Sequence, residues 1–141
     1  MSTNDDLTDL LTAAGRLIRL VGGLTTSELP HAVVRALAIL EENGELRITE
    51  FARIDRSSQP AATTLLGRLA DKGLVDRHKD PSDSRAVVVS LTASGHAQLE
   101  FARRKAAEAL TPYVAEIDPK DIADALAGLV RLNDALGRKV Q

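Results

Sequence analysis

A mainly α fold with one small β-hairpin is what this sequence predicts, from three features. Apolar residues recur at helical spacing towards both ends of the chain. Two alternating segments flank a turn-rich stretch, Asp80 to Ser84. Capping and stop residues divide the rest into short helices.

In chain order, Leu7, Leu10, Leu11, Ala14, Leu17, Ile18 and Val21 lie along one helical face, and Gly22-Gly23 is expected to end that helix. Pro30 fits the first turn of a second helix, with Val33, Val34, Leu37 and Leu40 inward and Asn43-Gly44 as its stop. A short helix follows from Thr49 to Ile54, then a turn and a helix from about Ser58 to Lys72. The alternating segments are Leu74 to Lys79 and Ala86 to Leu91, joined by the loop Asp80-Pro81-Ser82-Asp83-Ser84. Thr92 can cap a long helix to about Leu110, where Thr111-Pro112 marks a bend. Asp118-Pro119 opens a last helix, striped with Ile122, Leu126, Leu129, Val130 and Leu136.

With 141 residues, 44% of them hydrophobic, the chain suits a single compact unit. Its start lacks the basic end and apolar run of a signal peptide, so a cytoplasmic location without membrane association is expected. The absence of cysteine excludes disulfides, thiolate metal sites and thiol redox sensing. Net charge is −2, unevenly spread. Residues 1 to 46 carry three arginines against seven carboxylates, residues 47 to 85 eight cations against six, and the remainder seven against seven. A mildly basic centre on a non-basic scaffold suits nucleic-acid reading, though the low total equally suits a protein-binding module.

The centre has the parts of a helix-turn-helix. Ala52 is the small residue at the helix crossing, Ser57 and Ser58 stand where a cap is needed, and Pro60 falls in the first turn. Leu65, Leu66 and Leu69 would face inward, leaving Gln59, Thr63, Thr64 and Arg68 outward with groups able to read major-groove edges and grip phosphate. An ordinary solvated helix face would have the same composition. In the hairpin, Lys79 and Arg85 flank a protruding loop. The long planar cation of Arg85 suits a narrow minor groove, with Asp83 able to orient it, or the two simply form a surface pair that stabilises the turn.

Three motifs stand in order: Lys72-Gly73-Leu74-Val75, then Asp80-Pro81-Ser82-Asp83-Ser84-Arg85, then Val89-Ser90-Leu91-Thr92-Ala93-Ser94-Gly95. Together they resemble the signature of the MarR family of multiple-antibiotic-resistance regulators. That resemblance implies a winged helix-turn-helix DNA-binding lobe over residues 31–91, flanked by dimerisation helices at 7–24 and 92–141 within a single domain, 1–141. It also implies a recognition helix holding Ser57, Ser58, Gln59, Thr63, Thr64 and Arg68, and a wing holding Arg77, Lys79, Asp83 and Arg85. Arg85 is then the minor-groove contact and Asp83 its support. Leu11, Ile18, Ile122, Leu126 and Leu129 become dimer contacts. Ser84 departs from the pattern, since many relatives have a second arginine there.

The expected function is therefore a DNA-binding transcription regulator, a homodimeric repressor of a palindromic operator in double-stranded DNA. In the family, affinity is commonly lowered by a small aromatic or lipophilic effector, but no motif here fixes its pocket. The alternative is a winged-helix protein-interaction module that does not bind DNA. No cofactor or metal is expected: His31, His78 and His96 lie apart, without ligand spacing. No nucleophile, base and orienting group assemble into an enzyme site. Tyr113, the single tyrosine, is expected in the core.

Overall fold

The computed structural model describes residues 2–24 and 29–140, so Met1 lies outside the described residues. The elements run α1 (Thr3–Leu24), α2 (His31–Asn43), β1 (Leu46–Arg47), α3 (Ile48–Asp55), α4 (Gln59–Asp71), β2 (Val75–Asp80), β3 (Asp83–Leu91) and α5 (Ala93–Leu110). A 3-10 turn (Thr111–Val114) and α6 (Pro119–Val140) complete the order. Two bodies form, Met1–Ala109 and Leu110–Gln141.

The first body holds the core. Val33, Ala36, Leu37, Ile39 and Leu40 of α2 meet Phe51 and Ala52 of α3 and Ala62, Leu66 and Leu69 of α4, closed by Val75, Val89 and Leu99. Phe51, Leu37 and Leu66 are fully buried, which makes the junction of α2, α3 and α4 the rigid centre of the lobe. Leu65, expected to face inward, is only half-buried against this cluster.

Helix ends follow local chemistry. Pro30 stands at the N-cap of α2, one residue before the first turn where it was expected, and its carbonyl accepts from Val33 and Val34. Gly44 ends α2 at φ +70°. Gly73 ends α4 at φ +74°, its N–H bonding the Ala70 carbonyl while Leu74 reaches back to Leu69, a C-terminal closure that needs a left-handed residue. Arg56 takes the equivalent place after α3 at φ +56°, where a side chain is tolerated at a cost of about 1 kcal/mol. The glycine pair 22–23 lies in the last turn of α1, which ends at Leu24, as the sequence signals.

The sheet is antiparallel in the order β1-β3-β2, with Leu46 opposite Val89 and Arg47 opposite Val88. The two-residue β1 is too short to give a sequence pattern and was not expected. The connection between β2 and β3 is tighter than the five-residue loop expected, because Asp80 pairs directly with Asp83. The ladder is irregular there: Lys79 pairs with Val87, which leaves Ser84, Arg85 and Ala86 without partners across the hairpin. Such a bulge bends the strand and re-aims its side chains.

α5 begins on a docked cap. Thr92 Oγ1 accepts from the Gly95 N–H at 3.0 Å and donates to the Gly73 carbonyl at 2.7 Å, tying the start of α5 to the turn after α4. In the second body, Asp118 Oδ1 accepts from the Lys120 N–H at the start of α6. Tyr113 is exposed in this body, not in a core, because the short 3-10 turn offers no apolar layer to cover it.

Candidate nucleic-acid interface

Ser58 caps α4, its Oγ accepting from the Ala61 N–H at 3.2 Å, and Pro60 follows within the first turn. This pins the N-terminal end of α4 outward. Ala62, Leu66 and Leu69 point into the core, so Gln59, Thr63, Thr64 and Arg68 are all exposed on the other side. Ser57 departs from expectation: its Oγ is buried in the turn between α3 and α4 without a hydrogen-bond partner, so its hydroxyl is not on the reading face. Its backbone N–H closes α3 by bonding the Ala52 carbonyl, which draws the residue inward.

In the wing, Arg85 is held from two sides by one acceptor: its N–H and its Nε reach Asp83 Oδ1 at 3.1 and 3.2 Å. The side chain nevertheless remains 91% exposed, a projecting cation with a fixed root. Lys79 is exposed on the opposite strand. Arg77 reaches back over α4, where its Nη1 lies 3.4 Å from the place a Cβ on Gly67 would occupy.

These elements enclose a groove of about 520 Å³ between the N-terminal part of α4 and the wing. Gln59, Thr63, Arg77, Asp83 and Arg85, all expected site residues, meet on its walls. Ser58, Thr64, Arg68 and Lys79 lie outside its lining, on adjacent exposed surface. Two polar residues that were not foreseen, Arg47 and Thr49, also line it, beside the apolar Ile48, Ala86 and Val87. Arg47 gets there because β1 pairs with β3, and Thr49 because the first turn of α3 starts beside that strand.

Charges around the groove are ordered. Arg47 Nε and Nη2 meet Asp80 Oδ2 at 2.7 and 2.6 Å, while Asp80 Oδ1 accepts from the Ser82 N–H and Oγ, each at 2.8 Å. The hydrogen bonds from the Ser82 backbone and hydroxyl, with Arg47 adding to them, pull the Asp80 carboxyl down to about 2. Elsewhere, His78 Nε2 lies 2.9 Å from Glu45 and His96 Nδ1 lies 3.5 Å from Glu41, which also takes Arg103 at 2.8 Å. The bond to Glu41, with a second from Arg103 to Glu100 at 3.0 Å, raises the Arg103 pKa further. Among the described residues no three His, Cys, Asp or Glu side chains are placed to hold a metal ion. No described helix is long and apolar enough to cross a membrane.

A helix presenting amide and hydroxyl groups beside a hairpin with a projecting arginine can offer duplex DNA a major-groove probe and a minor-groove probe together. Known proteins share this fold. The sequence profile of the MarR family matches residues 29–87, the span from α2 into β3. An uncharacterised HTH-type transcriptional regulator of Mycobacterium leprae is 34% identical over 97 residues, covering 67% of this chain and 68% of its own. The crystal structure of RV1404 from Mycobacterium tuberculosis superposes with a TM-score of 0.73 at 20% identity, over 97% of this chain and 96% of that one. PcaV, a transcriptional regulator from Streptomyces coelicolor solved with its natural ligand, superposes with a TM-score of 0.58 at 20% identity, over 95% and 94%. The likeness to the solved structures establishes the fold; the identity to the Mycobacterium leprae relative, with the profile match, establishes the family. This winged helix-turn-helix chain belongs to the MarR family of transcription regulators.

Proposed function

We propose that the protein is a homodimeric repressor that occupies a palindromic operator and leaves it when a small ligand binds. The observation that carries the reading is the groove between α4 and the wing, with Gln59 and Thr63 on one wall and the Asp83-held Arg85 on the other. Gln59, Thr63 and Thr64 read base edges, Arg68 grips phosphate, and Arg85 enters the adjacent minor groove. Residues 31–91 form the reading lobe within one functional domain, 1–141, and DNA as a partner agrees with a cytoplasmic location.

Dimerisation rests on two apolar stripes that each body leaves uncovered: Leu10, Leu11, Leu17 and Ile18 on α1, and Ile122, Leu126 and Leu129 on α6. Helices 7–24 and 92–141 would bury these against a second copy. Two recognition helices would then enter successive major grooves, roughly 34 Å apart.

Ligand response is supported by a second groove in the first body, about 1110 Å³, lined by Leu17, Ile18, Val34 and Phe101 with Arg103 and Lys105 among its polar residues. Apolar walls with nearby cations suit an aromatic or lipophilic anion. PcaV, of the same fold, was solved with a natural ligand.

Selection from random DNA, followed by gel-shift titration of the selected site, tests the proposal. An inverted repeat with half-sites about one helical turn apart is expected. The net charge of −2 favours a second reading, a winged-helix module that binds protein only, and recovery of no DNA motif at low salt would decide for it.

A further inference from the structure

We propose that Arg47 and Asp80 act as one positioning unit, a strut that fixes the tip of the wing against the start of α3, so that Arg85 is presented at a set height over the groove. The inference rests on the reading of the wing as a DNA contact.

The hairpin is anchored to the core from its base as far as Val87, and its tip is not. Val75, Val88 and Val89 are buried, but towards the turn Ala86 and Val87 are half-buried and Lys79, Pro81, Ser82, Ser84 and Arg85 are exposed. A two-stranded tip without an apolar face has little intrinsic rigidity. The bulge at Ser84 to Ala86 removes ladder pairing at the place where Arg85 stands. Something other than the ladder must hold the tip.

Arg47 is placed to do so. Its backbone is fixed twice, by pairing with Val88 and by donating its N–H to Glu50 Oε1 in the first turn of α3. From that root the guanidinium reaches across the sheet to Asp80 Oδ2 through both Nε and Nη2. Asp80 Oδ1 holds Ser82, the residue at the turn, by backbone and side chain. Both carboxylate oxygens are thereby committed, one to Arg47 at the junction of β1 and α3 and one to the turn. The Asp80 side chain is only 12% exposed against 35% for Asp83, so its ion pair is less screened than a surface one. The two wing carboxylates divide the work: Asp80 sets the tip, and Asp83 sets Arg85 upon it.

The test uses full-length protein with Asp80→Asn, which removes the charge but keeps an acceptor for Ser82, and with Arg47→Met, alone and combined. Minor-groove protection of the selected operator at the wing position should be lost in each variant, while major-groove protection by α4 persists. Affinity should fall by about tenfold in each single variant. The double variant should be no worse than either single one, because a pair broken once cannot be broken again. Additive losses would mean that Arg47 grips DNA by itself, and would overturn the strut. A second readout needs no DNA. The chain has no cysteine, so nitroxides on Ser84→Cys and Arg53→Cys report the distance between wing and α3 without background labelling. Asp80→Asn should broaden that distribution, and an unchanged narrow one would overturn the proposal. If wild-type protein gives no minor-groove protection and Arg85→Ala changes nothing, the wing reading itself fails, and the proposal with it, whatever the distances.

Discussion

Arg85 projects almost fully into solvent, yet its root is tied to Asp83 through both backbone and Nε. A flexible arginine loses side-chain entropy on entering a groove, and anchoring near the root lowers that loss before DNA arrives. Arg85→Ala should leave helix content and oligomeric state unchanged while weakening operator binding. The slope of log affinity against log salt should fall by about 1, as for one cationic contact removed; unaltered affinity in a salt titration at physiological ionic strength would sink the wing assignment. Asp80 gives a pH expectation. Its carboxyl is held down to about 2, first by the backbone N–H of Ser82, from an ordinary value of 3.8. Because the folded value is the lower, the stabilising contribution is fully present above 3.8 and disappears as pH falls through about 2. Carbon NMR of the Asp80 carboxyl should therefore show no titration near pH 4, and an ordinary midpoint there would contradict the bonding described.

At the scale of elements, α4 is proposed as the reading helix because its cap, its first-turn proline and its buried Ala62, Leu66 and Leu69 fix one face inward and leave the other exposed. Gln59→Ala or Thr64→Ala should change the preferred base at one position per half-site, at about 1 to 3 kcal/mol. Arg68→Ala should weaken all sequences alike. Random-sequence selection that returned one identical motif from every variant would show the helix misassigned. Gly95 exposes how tightly α5 docks: a Cβ there would collide with the Leu74 carbonyl oxygen and stand 2.5 Å from Leu91 Cδ1. Because the obstacle is backbone, Gly95→Ala should destabilise the fold by about 1 to 3 kcal/mol. Urea unfolding with an unchanged midpoint would refute the close approach.

For the whole molecule, the exposed leucines and isoleucines of α1 and α6 exceed what scattered surface residues need, and a second copy is the proposed cover. Leu126→Asp or Leu129→Asp should yield monomer, since a carboxylate desolvated in an apolar interface is costly. Sedimentation of wild-type protein as a monomer at micromolar concentration would refute that. Release from DNA should respond to a ligand and not to peroxide, because the chain has no cysteine. A hundredfold loss of affinity asks for about 2.7 kcal/mol of coupling, and operator DNA must weaken the ligand by the same factor in calorimetry.

Much of this was legible without coordinates, for a local reason. Helix periodicity, the Ser58 and Thr92 caps, the Gly44 stop and the Asp83–Arg85 pair all depend on residues within a few positions of one another, and local chemistry settles them. Local rules also misled: Ser57 carries a polar side chain whose oxygen the turn buries. What tertiary structure alone decided lies farther apart in sequence. β1 has two residues and no periodicity, and exists because β3 offers a free edge beside it. The Arg47–Asp80 bond joins residues 33 apart, and the groove walls come from α3, α4 and the wing together. The sequence by itself determined which helices form and which side chains of α4 stay on its exposed face. Packing around Phe51, Leu37 and Leu66 decided how far the wing stands from that face, because burial can bring distant positions together only once the core has formed.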